Sequence, residues 1–152
     1  MDPLVAKIAE QFQVVHGLLR DEVRDLSVEE LNWKPAPETN SIAVLVVHTL
    51  GSEAEVLRVA ANVPGDRDRP AEFRVTANDA EDLLREIDQA DAYIEAMAPR
   101  ITAEHLTAVR PRGEREPETG LHWLLTNYGH AREHLAHIQL TKQLYAESNQ
   151  AR

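Results

Sequence analysis

Apolar residues along this chain recur every three or four positions rather than every second one, so the pattern is helical almost throughout. From about Pro3 to Asp25, Leu4, Ile8, Phe12, Val15, Leu19 and Val23 form one stripe, and Pro3 suits a first helical turn. Ser27-Val28-Glu29-Glu30 has the form of a capping box and predicts a short turn of helix ending by Trp33, before Pro35. Lys34 to Thr39 reads as an irregular connector. Asn40 or Ser41 can cap a second long helix, Ile42 to about Asn62, with Ile42, Leu45, Val46, Thr49, Val56 and Val59 on its buried side.

Val63-Pro64-Gly65-Asp66 interrupts the pattern, and the charged stretch to Arg69-Pro70 is expected to be a loop. A third helix is predicted from about Asn78, where Asn78-Asp79-Ala80-Glu81 resembles a second capping box, to Met97. Leu83, Leu84, Ile87, Ala90, Ile94 and Met97 make its apolar stripe. Thr102 to Leu106 predicts a helical turn. Ala108 to Glu118, charged and proline-containing, predicts a loop or short hairpin that covers or borders something. The last helix is expected from about Thr119 to Glu147. Four long helices with almost no strand pattern predict an all-α four-helix bundle, one domain over residues 1–152.

Charge and composition narrow the function. A net charge of -10 argues against nucleic acid and against an anionic membrane surface as partners. No run approaches the length of a membrane span and the N-terminus lacks a signal-peptide pattern, so a cytoplasmic location is the expectation. With 0 Cys, thiolate metal sites, disulfides and a cysteine nucleophile are excluded. A bound metal must use His, Asp or Glu, and a reacting thiol must arrive with a substrate.

Three of the 7 histidines fall in Gly129-His130-Ala131-Arg132-Glu133-His134-Leu135-Ala136-His137. Residues four apart on a helix point within about 40° of one another, so His130 and His134 can face one ion. One helix cannot surround an ion, and His48, midway along the second long helix, is the candidate third ligand. Trp123, Asn127, His137 and Thr141 share the general direction of His130 and His134, and Ser41, Val44, Ser52 and Glu55 share the face of His48. Glu53 points elsewhere, toward another helix or solvent. His137 lies a turn further on and suits a supporting or pocket role. His16, His105 and His122 carry no spacing signal and are expected at surface or boundary positions, while Trp33 and Trp123 read as core or pocket-wall aromatics. The plainer alternative is that the histidine pair is exposed or satisfied within the core.

Three imidazoles without a fourth protein ligand leave a coordination position open, as in catalytic zinc sites. Such ligands suit Zn, Ni, Cu or Fe(II). No His-x-Asp motif indicates a facial-triad oxygenase, and no pair of Glu-x-x-His motifs indicates a di-iron bundle. A P-loop, a dinucleotide fingerprint and G-x-S-x-G are also absent.

Three segments in this order resemble the DinB-like superfamily of damage-inducible and related bacterial metalloproteins, which includes the YfiT-like group. They are Leu31-Asn32-Trp33-Lys34-Pro35, then Ser41-Ile42-Ala43 leading to Val47-His48 with Glu53 after it, then Asn127-Tyr128-Gly129-His130 through His134 to Ile138. The resemblance implies a four-helix bundle with one divalent metal (Zn or Ni foremost, Fe or Mn as alternatives) held by His48, His130 and His134, in a homodimer. It implies a small-molecule substrate and, for some relatives, a transferase or isomerase using a low-molecular-weight thiol of the mycothiol or bacillithiol kind. A metal-dependent hydrolase is the neighbouring chemistry. A non-enzymatic stress-response or interaction protein with a structural or vestigial metal is the competing reading. His137 departs from the Gln that many similar sequences carry there. No residue is singled out as catalytic.

Overall fold

The computed structural model describes residues Met1 to Ala151. Its long helices are α1 (Pro3–Val23), α3 (Ile42–Ala61), α5 (Ala80–Met97) and α7 (Gly120–Gln150). Short elements join them: α2 (Val28–Asn32), α4 (Arg69–Glu72), a 3₁₀ turn at Ala98–Arg100, α6 (Ala103–Thr107), and the hairpin β1 (Val109–Arg112) and β2 (Arg115–Thr119). The expected four-helix bundle is therefore present. Helices α1, α5, α3 and α7 follow one another around it, so α1 faces α3 across a diagonal and α5 faces α7.

Each helix begins where a side chain can accept the free amide protons of the first turn. Asp2 does this for α1, Ser41 for α3, Asp79 for α5 and Thr119 for α7. The Ser27–Glu30 box forms as expected. The second predicted box is displaced by one residue: Asp79 caps the backbone of Asp82, whose carboxylate in turn accepts from Asn78. α3 ends at Asn62, which adopts the left-handed conformation (φ 57°) that Asn tolerates and that closes a helix.

α3 buries fourteen of its 20 residues, which befits a helix packed against α5, α7 and the short α2 and α4. Phe12, Val56, Leu57, Ile94, Trp123 and Leu124 belong to one buried cluster. Leu19, Leu31, Ile42, Val46, Ile87, Leu135 and Ile138 belong to a second, and Tyr128 packs against both. Burial of such side chains contributes about 1.5–3 kcal/mol each.

One connector differs from expectation and another is made specific. The stretch expected as loop up to Pro70 ends instead in α4, because Asp68 caps the Ala71 amide at 3.1 Å and Pro70 fits the first turn. The Ala108–Glu118 stretch takes the hairpin form, one of the two expected. Its strands pair Val109 with Thr119, Arg110 with Glu118 and Arg112 with Arg115 around a bulge, and Gly113 turns the chain at φ 59°. α4 and the hairpin frame the α3–α7 edge of the bundle. No helix among the described residues is long and apolar enough to cross a membrane.

Candidate metal centre

His48 projects from α3 and His130 and His134 from α7, along the most extensive helix–helix contact of the molecule. His48 Nε2 lies 3.2 Å from His130 Nε2, and His134 Nε2 lies 3.0 Å from the same atom. Two nitrogens bound to one zinc ion at about 2.05 Å and a tetrahedral angle are about 3.3 Å apart, so the spacing matches a shared ion. These three form a group in which each offers a nitrogen within 4.8 Å of the others. No fourth His, Asp or Glu of the described residues joins it.

Two of the three outer nitrogens are held by partners and one is not. His48 Nδ1 donates to Glu72 Oε2 at 3.0 Å, which protonates Nδ1 and leaves the Nε2 lone pair facing the other rings. His134 Nδ1 meets His137 Nδ1 at 3.1 Å, the supporting position expected for His137. His130 Nδ1 is buried and has no partner. Glu72 is itself clamped by Arg67, through Nε to Oε1 at 2.7 Å and Nη2 to Oε2 at 2.8 Å. Gly51 makes that approach possible, because a Cβ there would overlap the Glu72 carboxylate.

Electrostatics keep the imidazoles in the neutral form that binds metal. Burial, then His48 and the guanidinium groups of Arg112, Arg67 and Arg115, lowers His130 to about 4. Burial, then His130, His48 and His137, lowers His134 to about 3. His48 is also lowered, by burial first and by Arg67 and Arg69, against the opposing pull of Glu72.

A cavity of about 530 Å3 opens onto His48 and His130. Its walls come from α3, α7, the α3–α4 connector, the start of α4 and the hairpin, so the hairpin does border the site. Glu55 and Asn127 line it but touch no histidine. Glu55 Oε2 accepts from Arg67 at 2.9 Å and from Arg112 at 2.7 Å, and Asn127 donates to Ser52 Oγ at 2.7 Å. Trp123 is a buried core residue behind the cavity wall, its indole donating to the Arg110 carbonyl at 3.0 Å and the Arg112 guanidinium lying over its ring. Trp33 lies away from the site, edge-on to Tyr145. Thr141 bonds only its own helix, at the His137 carbonyl.

Sequence reasoning missed Glu72 and the arginines of the two connectors. The only signals were the repeated Arg-x-Arg of Arg67-Asp68-Arg69 and Arg110-Pro111-Arg112, whose proximity no local pattern reveals. His16 is a second correction. It is 0% exposed rather than at a surface or boundary, with Nδ1 2.6 Å from Asp91 on α5 and Nε2 3.1 Å from Glu53 on α3. Glu53 thus turns away from the imidazole cluster toward another helix, as expected. His122 is exposed, and His105 is half-buried and caps α6 beside Thr102.

A helical bundle with three imidazoles gathered on one edge, and an open cavity leading to them, defines the class. The chain belongs to the DinB superfamily, whose family model matches residues 11–138. It is similar to solved structures that share its fold at low identity. A conserved protein from Enterococcus faecalis is 18% identical, with TM-score 0.75 over 95% of this chain and 98% of that one. A DinB-like protein from Bacillus subtilis is 18% identical, with TM-score 0.71 over 92% of each chain. YfiT from Bacillus subtilis, described as a probable metal-dependent hydrolase with an unusual four-helix bundle topology, is 14% identical, with TM-score 0.75 over 96% and 90%. No curated protein matches the chain in sequence.

Proposed function

We propose that this protein is a metal-dependent enzyme of small-molecule metabolism, in which His48, His130 and His134 hold one divalent ion, zinc or nickel foremost, and a low-molecular-weight thiol is the co-reactant. The observation that carries this reading is the cavity ending on His48 and His130, beside a ligand set that stops at three. Closed structural sites use four protein ligands, whereas three leave room for a reactant. A divalent ion there supplies a Lewis acid that favours the ionised, nucleophilic form of a thiol or water.

The chain's own residues orient and shield. Glu72 and His137 fix the rotation of the His48 and His134 rings. The hairpin walls the cavity, and Ser52 is held by Arg112 at 3.0 Å and by Asn127. With no cysteine in the chain, no protein thiol competes with an incoming one. The reaction is transfer or isomerisation when a thiol is the nucleophile. Hydrolysis, with water in its place, is the second reading, favoured by the description of YfiT.

A homodimer fits the exposed apolar residues Leu4, Val14 and Leu18 on α1. Titration of the cobalt-substituted protein with small thiols tests the main reading, since sulfur ligation produces intense charge-transfer absorption. No spectral change with any thiol, together with hydrolysis of a model ester or amide, would transfer the assignment to a hydrolase.

A further inference from the structure

In a chain of net charge -10, four of the 16 basic side chains line the cavity that opens onto His48 and His130: Arg67, Arg69, Arg112 and Arg115. Two of them are neutralised within the protein. Arg67 is shared between Glu55 and Glu72, and Arg112 is bound to Glu55. Arg69 and Arg115 have no carboxylate partner among the described residues. The remaining acid of the cavity wall, Glu114, sits exposed in the hairpin turn.

The arrangement concentrates like charge. Hairpin register sets Arg115 directly opposite Arg112, a pairing that destabilises a hairpin unless an anion lies between or beside the two. Burial, together with Arg115 and Arg67, pushes the Arg112 guanidinium below its usual value despite Glu55. Arg69 stands 4.9 Å from the centre of the Phe73 ring, and that ring lies 4.7 Å from the His48 ring. The free guanidinium is thus held over an aromatic plate that abuts the histidine cluster. Asn127, 2% exposed and lining the same cavity, has an Oδ1 with no partner. A buried amide oxygen left so is costly unless a ligand donates to it.

We propose that Arg69 and Arg115 form an oxyanion subsite at the cavity wall, so that the small molecule handled at the histidine centre carries a carboxylate or phosphate group. This deepens the function proposed above and rests on it for the location of the chemistry. The guanidinium fork matches both oxyanions in shape, and the two arginines come from separate connectors, so they close on the anion from two sides. A hydroxyl or N–H on the same molecule reaches Asn127 Oδ1.

The test is calorimetric titration of the zinc-loaded, full-length protein at low salt with succinate, with inorganic phosphate and with uncharged succinamide. Charge-assisted hydrogen bonds contribute about 1.5–3 kcal/mol, which corresponds to roughly ten- to a hundred-fold in affinity. Succinate or phosphate is expected to bind tighter than succinamide by that factor, and whichever binds better identifies the anion. The Arg69→Gln/Arg115→Gln double variant should lose the preference. Arg24→Gln, which removes an exposed positive charge on α1, should keep it. Neither anion binding tighter than succinamide, or equal binding by the double variant, overturns the proposal. The same titrations on His130→Ala protein separate it from the metal assignment. A variant that keeps its metal refutes that assignment, while dependence of anion binding on Arg69 and Arg115 still decides the subsite.

Discussion

Glu72 and His48 meet at 3.0 Å, the carboxylate accepting the Nδ1 proton of an imidazole whose other nitrogen faces His130. This contact determines which nitrogen of His48 is available and how the ring is rotated. Partners of this kind are worth about 10–100-fold in metal affinity. Glu72→Ala should weaken metal binding by that factor, measured by competition with a chelating dye. Glu72→Gln, which keeps an acceptor, should lose less. Unchanged affinity in both variants would detach Glu72 from the centre.

Gly51 offers a more discriminating variant. Alanine favours a helix interior over glycine by about 1 kcal/mol, so Gly51→Ala should not lower helix stability by propensity. Its Cβ, however, would displace the Glu72 carboxylate. We expect metal affinity to fall while the urea midpoint of the metal-free protein holds or rises. The effect should not add to that of Glu72→Ala, since both act through one contact. Full additivity would place the origin elsewhere.

His130→Ala should remove most of the bound metal with the far-ultraviolet helical signal largely retained, because two hydrophobic clusters, neither of which contains a histidine, hold the bundle. Metal analysis and circular dichroism on the same sample check this. Collapse of the helical signal would mark the site as one whose metal folds the protein.

The buried His16 network predicts a pH dependence that begins at 6.5. Burial lowers the His16 pKa, but Glu53 on α3 and Asp91 on α5 more than offset this, so it is raised above 6.5. Arg20 on α1 holds the second oxygen of Asp91 at 2.5 Å. Glu53 is raised as well, by burial first. The folded protein therefore binds more protons here than the unfolded chain, and stability falls as pH rises. His16 contributes fully below 6.5 and loses its contribution as pH climbs through its raised value. His48, His130 and His134, all lowered, give the metal-free protein the opposite slope near 6.5, so the wild type should lose stability relative to His16→Gln, in urea midpoint, as pH rises from 6.5 upward. The same slope in the variant would detach the effect from His16.

Association is tested on α1. Val14 and Leu18 are exposed one turn apart, and Leu4 extends the same helix surface. The protein should sediment as a dimer at micromolar concentration, and Val14→Glu with Leu18→Glu should shift it toward one 17.1 kDa species. A wild-type protein that already sediments as that species contradicts the dimer.

Local spacing was sufficient for the helices and for two of the three histidines of the candidate centre. A 3.6-residue repeat is a property of consecutive residues, so the apolar stripes of α1, α3 and α5 and the Ser27 and Ser41 caps can be read directly, and His130 and His134 share a face for the same reason. That His48 joins them depends on how α3 packs against α7. Glu72 required α4, a single turn too short to leave a periodic signal, brought over Gly51. His16 could not be recognised as buried because its partners lie 37 and 75 residues away on two other helices. The arginine-lined wall has the same origin. Arg67 and Arg69 sit on one connector and Arg112 and Arg115 on another, and only the closed bundle sets those charges around one cavity, where burial and mutual repulsion decide what that cavity can bind.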